Sequence, residues 1–444
     1  MRFVALVLLW TGCFYDEEMP LPADFGACPL PDETAGVAAP TWYRDVQPIL
    51  VAKCQGCHTD GGLAPFALDT LARVSARRGS IHDAVFTRTM PPWQPDPCCT
   101  PYRWDRSLTD AQRATVLTWF DTGMPTGDVA DAPPVVPPAA GLPHVDLIAT
   151  MPAPFTPAPK IGADELRCFL LDHDPIDRTR YITGFDFKPG ARPMVHHVIV
   201  YALSEDQAAT LSKNDGADGR PGWDCYGQGG ELSTGSQYIG GWQPGVLARV
   251  LPEGIGRELP AGTRIMLNVH YDTGHGVEPD QSSIDLMLED SVERVEKGIP
   301  VGNPLWFAGE GMEIAAGDPD ATAWFAYDPS DAITHRKAVD IHNVMLHMHE
   351  LGTIGRVAIL RADGSTECLL NITQWDFHWM ADYYFEAPVR LEPGDKVYVE
   401  CHWDNTLANQ KVVNGERVTP RTLHWATDDE MCGAVLTYST AVGA

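Results

Sequence analysis

The stretch GDVADAPPVVPPAAGLPHVDLIATMPAPFTPAPK, Gly127 to Lys160, constrains the fold of this chain more than any other. Proline fixes φ and carries no amide hydrogen, so a run this rich in it continues neither a helix nor a central strand. It reads as a semi-rigid, locally polyproline-like connector. A chain of 444 residues is also too long for one ordinary core. The connector therefore separates units that fold around different cores, and the texture of the chain changes across it.

Beyond the connector, short apolar or alternating runs are divided by Gly, Pro, Asp and Asn. MVHHVIVYAL, RIMLNVHYDT, SIDLMLED, GRVAILRADG, VRLEPGDKVYVECHW and CGAVLTYST read as strands, with EPGDK and RADGS as tight turns. This pattern predicts β-sandwiches of the jelly-roll kind, and about 280 residues leave room for two of them, over 161–294 and 295–444. Before the connector, TWYRDVQPILVAK and SLTDAQRATVLTWFDTGMP carry helical periodicity. In the second, Ser107 or Thr109 is the N-cap, and Ala114, Val116, Leu117, Trp119 and Phe120 supply the apolar positions.

The first of these helices runs into CQGCH, Cys54 to His58. A C-x-x-C-H run is a haem attachment motif: Cys54 and Cys57 sit one short turn apart, at the spacing of the two haem vinyl groups, and His58 falls under the iron. Half of a zinc site is the alternative, but no second Cys/His pair follows at finger or ribbon spacing.

The N-terminus MRFVALVLLWTGC carries one Arg, an apolar run too short to span a membrane, and small residues before Cys13. Residues 1–12 thus read as an export signal, and Cys13 as a lipidation site of bacterial lipoprotein type, followed by a tether over 13–40. Trp10 departs from the aliphatic residue usual three before that Cys. Export places the chain in the periplasm or on the outer membrane or cell surface, attached to the membrane only through a lipid anchor. An exported chain with 11 cysteines favours disulfides. Setting aside Cys13, Cys54 and Cys57 leaves an even number, whose pairing spacing alone does not determine. A net charge of -28 argues against nucleic acid as a partner.

Histidines then appear where strands are expected. His196 and His197 are adjacent in MVHHVIVY; neighbours on a strand face opposite ways, so both reach one ion only at a strand end or bulge. His270 lies in LNVHYDT. In HNVMLHMHELG, His347 and His349 are two apart and share a face. Burying imidazoles side by side is costly unless their nitrogens are satisfied. Singly, each reads more simply as a hydrogen-bonded structural histidine. Together they suggest a metal, and imidazole suits copper, zinc and iron.

Two resemblances follow. Residues 41–127 resemble a small class I cytochrome c domain, which implies covalent haem c with a methionine as sixth ligand: Met90 in TMPPWQPD, with Met124 in GMPTGD as the rival. The set HH, LNVHY, HMHELG and HWATDDEMCGAVLTY resembles the copper type II, ascorbate-dependent monooxygenases, over roughly 161–444 and in the family's order. The expected architecture is thus multidomain: a small all-α cytochrome c domain, a Pro-rich linker over 128–160, and two all-β jelly rolls. The second resemblance implies two copper ions, one held by His196, His197 and His270, the other by His347, His349 and Met431, the latter being the catalytic centre. It also implies a Cys401–Cys432 disulfide beside that methionine. The pairing of Cys28, Cys98, Cys99, Cys168, Cys225 and Cys368 stays open. The implied reaction hydroxylates a C–H bond of a small organic substrate with dioxygen. Its electrons come from an ascorbate-like donor or from the haem, recharged by a periplasmic carrier, with the haem module docked near the three-histidine copper at the end of a connector able to stretch to about 100 Å. The family's carboxylate clamp is missing, since Met345, Gly433 and Val435 occupy its positions. A C-terminal peptide glycine is therefore an unlikely substrate. The alternative reading is a haem- and copper-bearing electron-transfer lipoprotein without enzyme activity.

Overall fold

The computed structural model describes residues 21–441 apart from 23–24, 27–37, 61–63, 135–140, 161, 226–235, 245, 247, 275, 414 and 427–428. The expected signal over 1–12, the lipidation site Cys13 and Cys28 lie outside the described residues. The architecture is mostly β-sheet with a few short helices. Residues 42–121 carry the helices: a wide turn at Trp42–Val46, then α1 (Gln47–Lys53), α2 (Leu71–Ala76), α3 (Arg78–Phe86) and α4 (Asp110–Asp121). Of the two candidate caps for α4, Thr109 is the one used, in a reciprocal capping box with Gln112. These helices share a small core in which Trp42, Val46, Val74, Val116 and Trp119 are buried.

The expected two sandwiches are joined by one sheet. A five-stranded sheet, with Asp164–Leu170, Arg264–Asp272, Val195–Leu203 and Gln237–Trp242 in spatial order after the short Trp223–Asp224, forms one face of the first unit. A four-stranded sheet of Ala321–Tyr327, Lys396–Trp403, Gly352–Leu360 and Thr366–Ile372 forms one face of the second. The opposing faces belong to a single nine-stranded sheet that runs through both. Its joint is Arg294–Val301: residues 294–296 pair in parallel with Ile255–Leu259, and residues 297–301 pair antiparallel with Gly433–Thr440. At this joint Arg257 and Glu296 form a buried ion pair, which Thr437 completes by donating its hydroxyl to Glu296 at 2.8 Å.

Two expectations need correction. The connector does not run unstructured to Lys160, because Leu147–Thr150 is an edge strand on Ser283–Glu289, with Leu147 and Ala149 facing the core and Ile148 outward. The prolines lie on either side of this LIAT run, so nothing in it prevents ladder pairing. Nor is the front module joined to the sandwiches only through that connector. Its segment 93–106 leaves the helical core and packs on the second sandwich. Pro95 bridges Ile372, Tyr102 bridges Phe385 and is buried in that core, and Cys99 is disulfide-bonded to Cys368. Trp93 and Tyr102 have too little helical core to bury against, whereas Tyr383 and Phe385 meet them edge-on or tilted. Cys168–Cys225 and the expected Cys401–Cys432 are also formed.

Candidate metal centres

His196, His197 and His270 converge because of one irregularity in a β-ladder. Val195–Leu203 and Arg264–Asp272 run antiparallel, with Val195 opposite Tyr271 but His197 opposite His270. The extra residue is His196, and the bulge turns it toward the side its neighbour faces. All three imidazoles are buried. The Nδ1 atoms of His196 and His270 lie 3.2 and 3.3 Å from that of His197. Nitrogens bound ~2.0 Å from one ion at a tetrahedral angle are ~3.3 Å apart, so the spacing is that of a ligand set. Asp164, on the adjacent strand, accepts from His270 Nε2 at 2.9 Å. That fixes the proton on Nε2 and leaves Nδ1 bare toward the cluster. Burial, then the neighbouring imidazoles, pushes His196 down to about 3 and His197 well below its ordinary value. Neutral imidazole is the form that ligates a metal. Donor type, spacing and protonation all fit copper. Asp164→Ala is expected to lower the copper affinity of this cluster by about 10- to 100-fold; a chelator-competition titration showing wild-type affinity would rule out the orienting role.

The second pair is built at the end of the strand Val339–His347. Its register with the C-terminal strand pairs His347 with Gly433, and past the end of that ladder His349 meets Asp429 and Glu430, the residues just before Met431. The two imidazoles stand edge to face, centroids 5.0 Å apart. Here the Nδ1 atoms are spoken for: that of His349 lies 3.1 Å from the Asp429 carbonyl and that of His347 3.0 Å from Met380 Sδ. As a donor His347 leaves its Nε2 for a ligand, the reverse of the first cluster. Met431 is buried, held by Cys432 in its disulfide to Cys401.

Several residues around this pair were not singled out in the sequence. Glu430 is fully buried and accepts from the amides of His349 (2.9 Å) and Leu351 (2.7 Å) and from Trp403 Nε1 (2.9 Å). Burial raises its carboxyl to about 7 against the pull of those hydrogen bonds. Gly352 has no Cβ where one would lie 2.7 Å from Trp375, and Trp375 accordingly sits over the turn and donates to the His349 carbonyl. Phe377, His378 and Met380 come from one short segment. That segment lies in the aromatic run QWDFHWMADYYF, in which nothing local marks a site. His342, in contrast, bonds Ser439 and belongs to the core.

In the helical module, α1 ends at Cys54, and Cys54 and Cys57 are free thiols. His58 places Nδ1 3.0 Å from the Phe66 carbonyl, which leaves Nε2 available. Both features fit the attachment and proximal ligation of a haem. Met90 lies exposed in the loop after α3, whereas Met124 packs half-buried against the helical core. The module faces the junction of the two sandwiches: Lys53 donates to the Asp105 carbonyl, and Arg106 donates to the Pro244 carbonyl. With its amide suitably oriented, Gln243 accepts from Arg106 and donates to the Met380 carbonyl. Through Met380 this connection leads to His347.

The fold is thus a β-protein of two sandwiches joined by one sheet, with histidines gathered in each and, in the first, the spacing of a metal-ligand set. Residues 326–443 match the family model of the copper type II ascorbate-dependent monooxygenase C-terminal domain. The chain is similar to DBH-like monooxygenase protein 2 of Mus musculus, at 25% identity over 224 residues, 47% of this chain and 34% of that protein. It is also similar to DBH-like monooxygenase protein 1 of Gallus gallus, at 23% identity over 259 residues, 55% of this chain and 39% of that protein. The chain spans well under half the length of these two relatives. A solved structure of the infectious bursal disease virus VP2 subviral particle aligns with 67% of this chain and 74% of that chain at 11% identity, but its TM-score of 0.16 carries no argument. The family match and the relatives support the copper type II monooxygenase family for the β-rich part of the chain.

Proposed function

We propose that the chain is an exported copper-dependent monooxygenase that hydroxylates a C–H bond of a small organic substrate with dioxygen. The observation that carries this reading is the convergence of three buried Nδ1 atoms in one sandwich, with a second imidazole pair in the other whose His349 meets the residues just before the buried Met431. His196, His197 and His270 would hold one copper; His347, His349 and Met431 would hold the other. Copper bound there supplies one-electron redox chemistry and, at the thioether-bearing centre, an open position for dioxygen.

The chain's own groups do the positioning. Asp164 and the Asp429 carbonyl set the tautomers of His270 and His349. Glu430 and the Cys401–Cys432 bridge hold the turn after His347 and the segment of Met431 against each other. Met345, which pairs with Val435 in the ladder, lines a small cavity between the sandwiches together with His197, Gln243 and Met380. The rest of that lining is mixed, with Val198, Ile199 and Trp242 beside Tyr238, Arg249 and Asp382, so it is the absence of the clamp residues at positions 345, 433 and 435 that argues against a terminal carboxylate there. The disulfides suit an oxidising compartment, in keeping with the signal read over 1–12 and lipidation at Cys13.

The same reading gives the front module a covalent haem c on Cys54 and Cys57 with His58 as proximal ligand. Electrons from a periplasmic donor would enter there. If Met90 is the sixth ligand, Met90→Ala converts the haem to a high-spin form of lower potential, because loss of the thioether disfavours reduced iron. An unchanged spectrum in that variant, with the change appearing in Met124→Ala, reassigns the ligand. The test of the whole reading is oxygen uptake by copper-loaded protein across a panel of small organic molecules. Substrate-dependent uptake supports it. Copper and haem that cycle without such uptake indicate an electron relay instead.

A further inference from the structure

The segment Asp376–Met380 belongs to the second sandwich, lying between Thr366–Ile372 and Asp382–Leu391, yet it reaches both histidine clusters. The Phe377 ring lies 6.2 Å from His197 and 6.3 Å from His270 on one side, and 6.0 Å from His349 on the other. His378 and Trp379 meet His196 at 5.5 and 5.8 Å. Met380 Sδ takes the His347 contact. Four consecutive residues, Phe377 to Met380, thus meet all five histidines between them.

The segment is held from outside its own domain. Gln94, in the stretch of the front module that packs on the second sandwich, accepts from the Asp376 amide at 2.8 Å and donates to the Asp376 carbonyl at 3.1 Å. A side-chain amide thereby satisfies both backbone groups of one residue, as a neighbouring strand would. Asp376 in turn caps the short helix, accepting from the His378 amide at 2.9 Å.

We infer that Asp376–Met380 is the element that sets the two histidine clusters relative to each other, with Phe377 as the positioning residue between them and Gln94 as its clamp. A half-buried aromatic ring placed between two imidazole sets fixes the width of the gap. The clamp makes that width depend on the front module. This inference rests on the proposed copper centres for its meaning, but the clamp is a property of the polypeptide alone.

The test therefore has two arms on the full chain. In metal-free protein, hydrogen exchange of the peptide covering 375–380 is measured for wild type and Gln94→Ala. Loss of two hydrogen bonds is expected to raise exchange by about 10-fold. In protein loaded with Cu(II), magnetic dipolar broadening between the centres is compared for wild type, Phe377→Leu and Phe377→Ala. Broadening is expected to persist with leucine, which keeps most of the volume, and to weaken with alanine. Unchanged exchange in Gln94→Ala, or unchanged broadening in Phe377→Ala, overturns the inference. Wild-type protein that takes up fewer than two coppers overturns the copper reading instead, and the exchange arm still decides the clamp.

Discussion

Met431→Ala is expected to lower turnover by at least about 100-fold and to reduce bound copper from about two to about one per chain. The residual copper should show only nitrogen ligation. The reasoning is geometric: the end of the ladder brings His347 to Gly433 and His349 to Asp429 and Glu430, on either side of Met431, while the three-histidine cluster lies in the other sandwich and shares no ligand with them. Loss of the thioether removes the soft donor that favours reduced copper and leaves two imidazoles, too few to hold the ion tightly. Metal analysis with X-ray absorption checks the sulfur contribution. Wild-type turnover in this variant would show that Met431 is not a ligand, and Met380, within 3.0 Å of His347, would then be the thioether to examine.

The second large effect is on stability. Glu296→Ala leaves Arg257 charged and nearly fully buried at the joint of the two sandwiches. Removing one partner of such a pair costs about 3–5 kcal/mol. Replacing both, with Arg257→Met and Glu296→Leu, is expected to recover much of that loss, since burying apolar groups of similar volume offsets the missing pair. Urea unfolding of the three proteins checks this. A double variant no more stable than Glu296→Ala would mean that the hydrogen bonds to Thr437 and the Ile239 carbonyl, rather than the stranded charge, dominate the joint.

Much of this was legible in the sequence because it depends on period and spacing. Alternation predicted the strands around His270 and His347, and the adjacency of His196 and His197 required a bulge or a strand end, which the ladder supplies at His196. The Thr109 capping box was written in the T-x-x-Q spacing. What escaped was long-range. Nothing local marks Cys99 as the partner of Cys368, 269 residues away. The strand at Leu147–Thr150 is only four residues long and was outweighed by its proline-rich flanks. Glu430 lay in a motif read for its methionine, and its role comes from amides brought to it by the turn after His347. Phe377, His378 and Met380 carry no local signal, because only the closure of the two sandwiches on each other brings them to the histidines.

The measurement that bears most directly on the two histidine clusters is the copper content of purified protein, wild type beside a His197→Ala, His270→Ala variant and a His347→Ala, His349→Ala variant. Two independent centres predict about two coppers in the first and about one in each of the others. The one-copper spectra of the two variants should differ, all-nitrogen in the His347→Ala, His349→Ala variant and sulfur-bearing in the other. Wild-type protein that binds no copper, or variants that lose both ions together, would contradict the account.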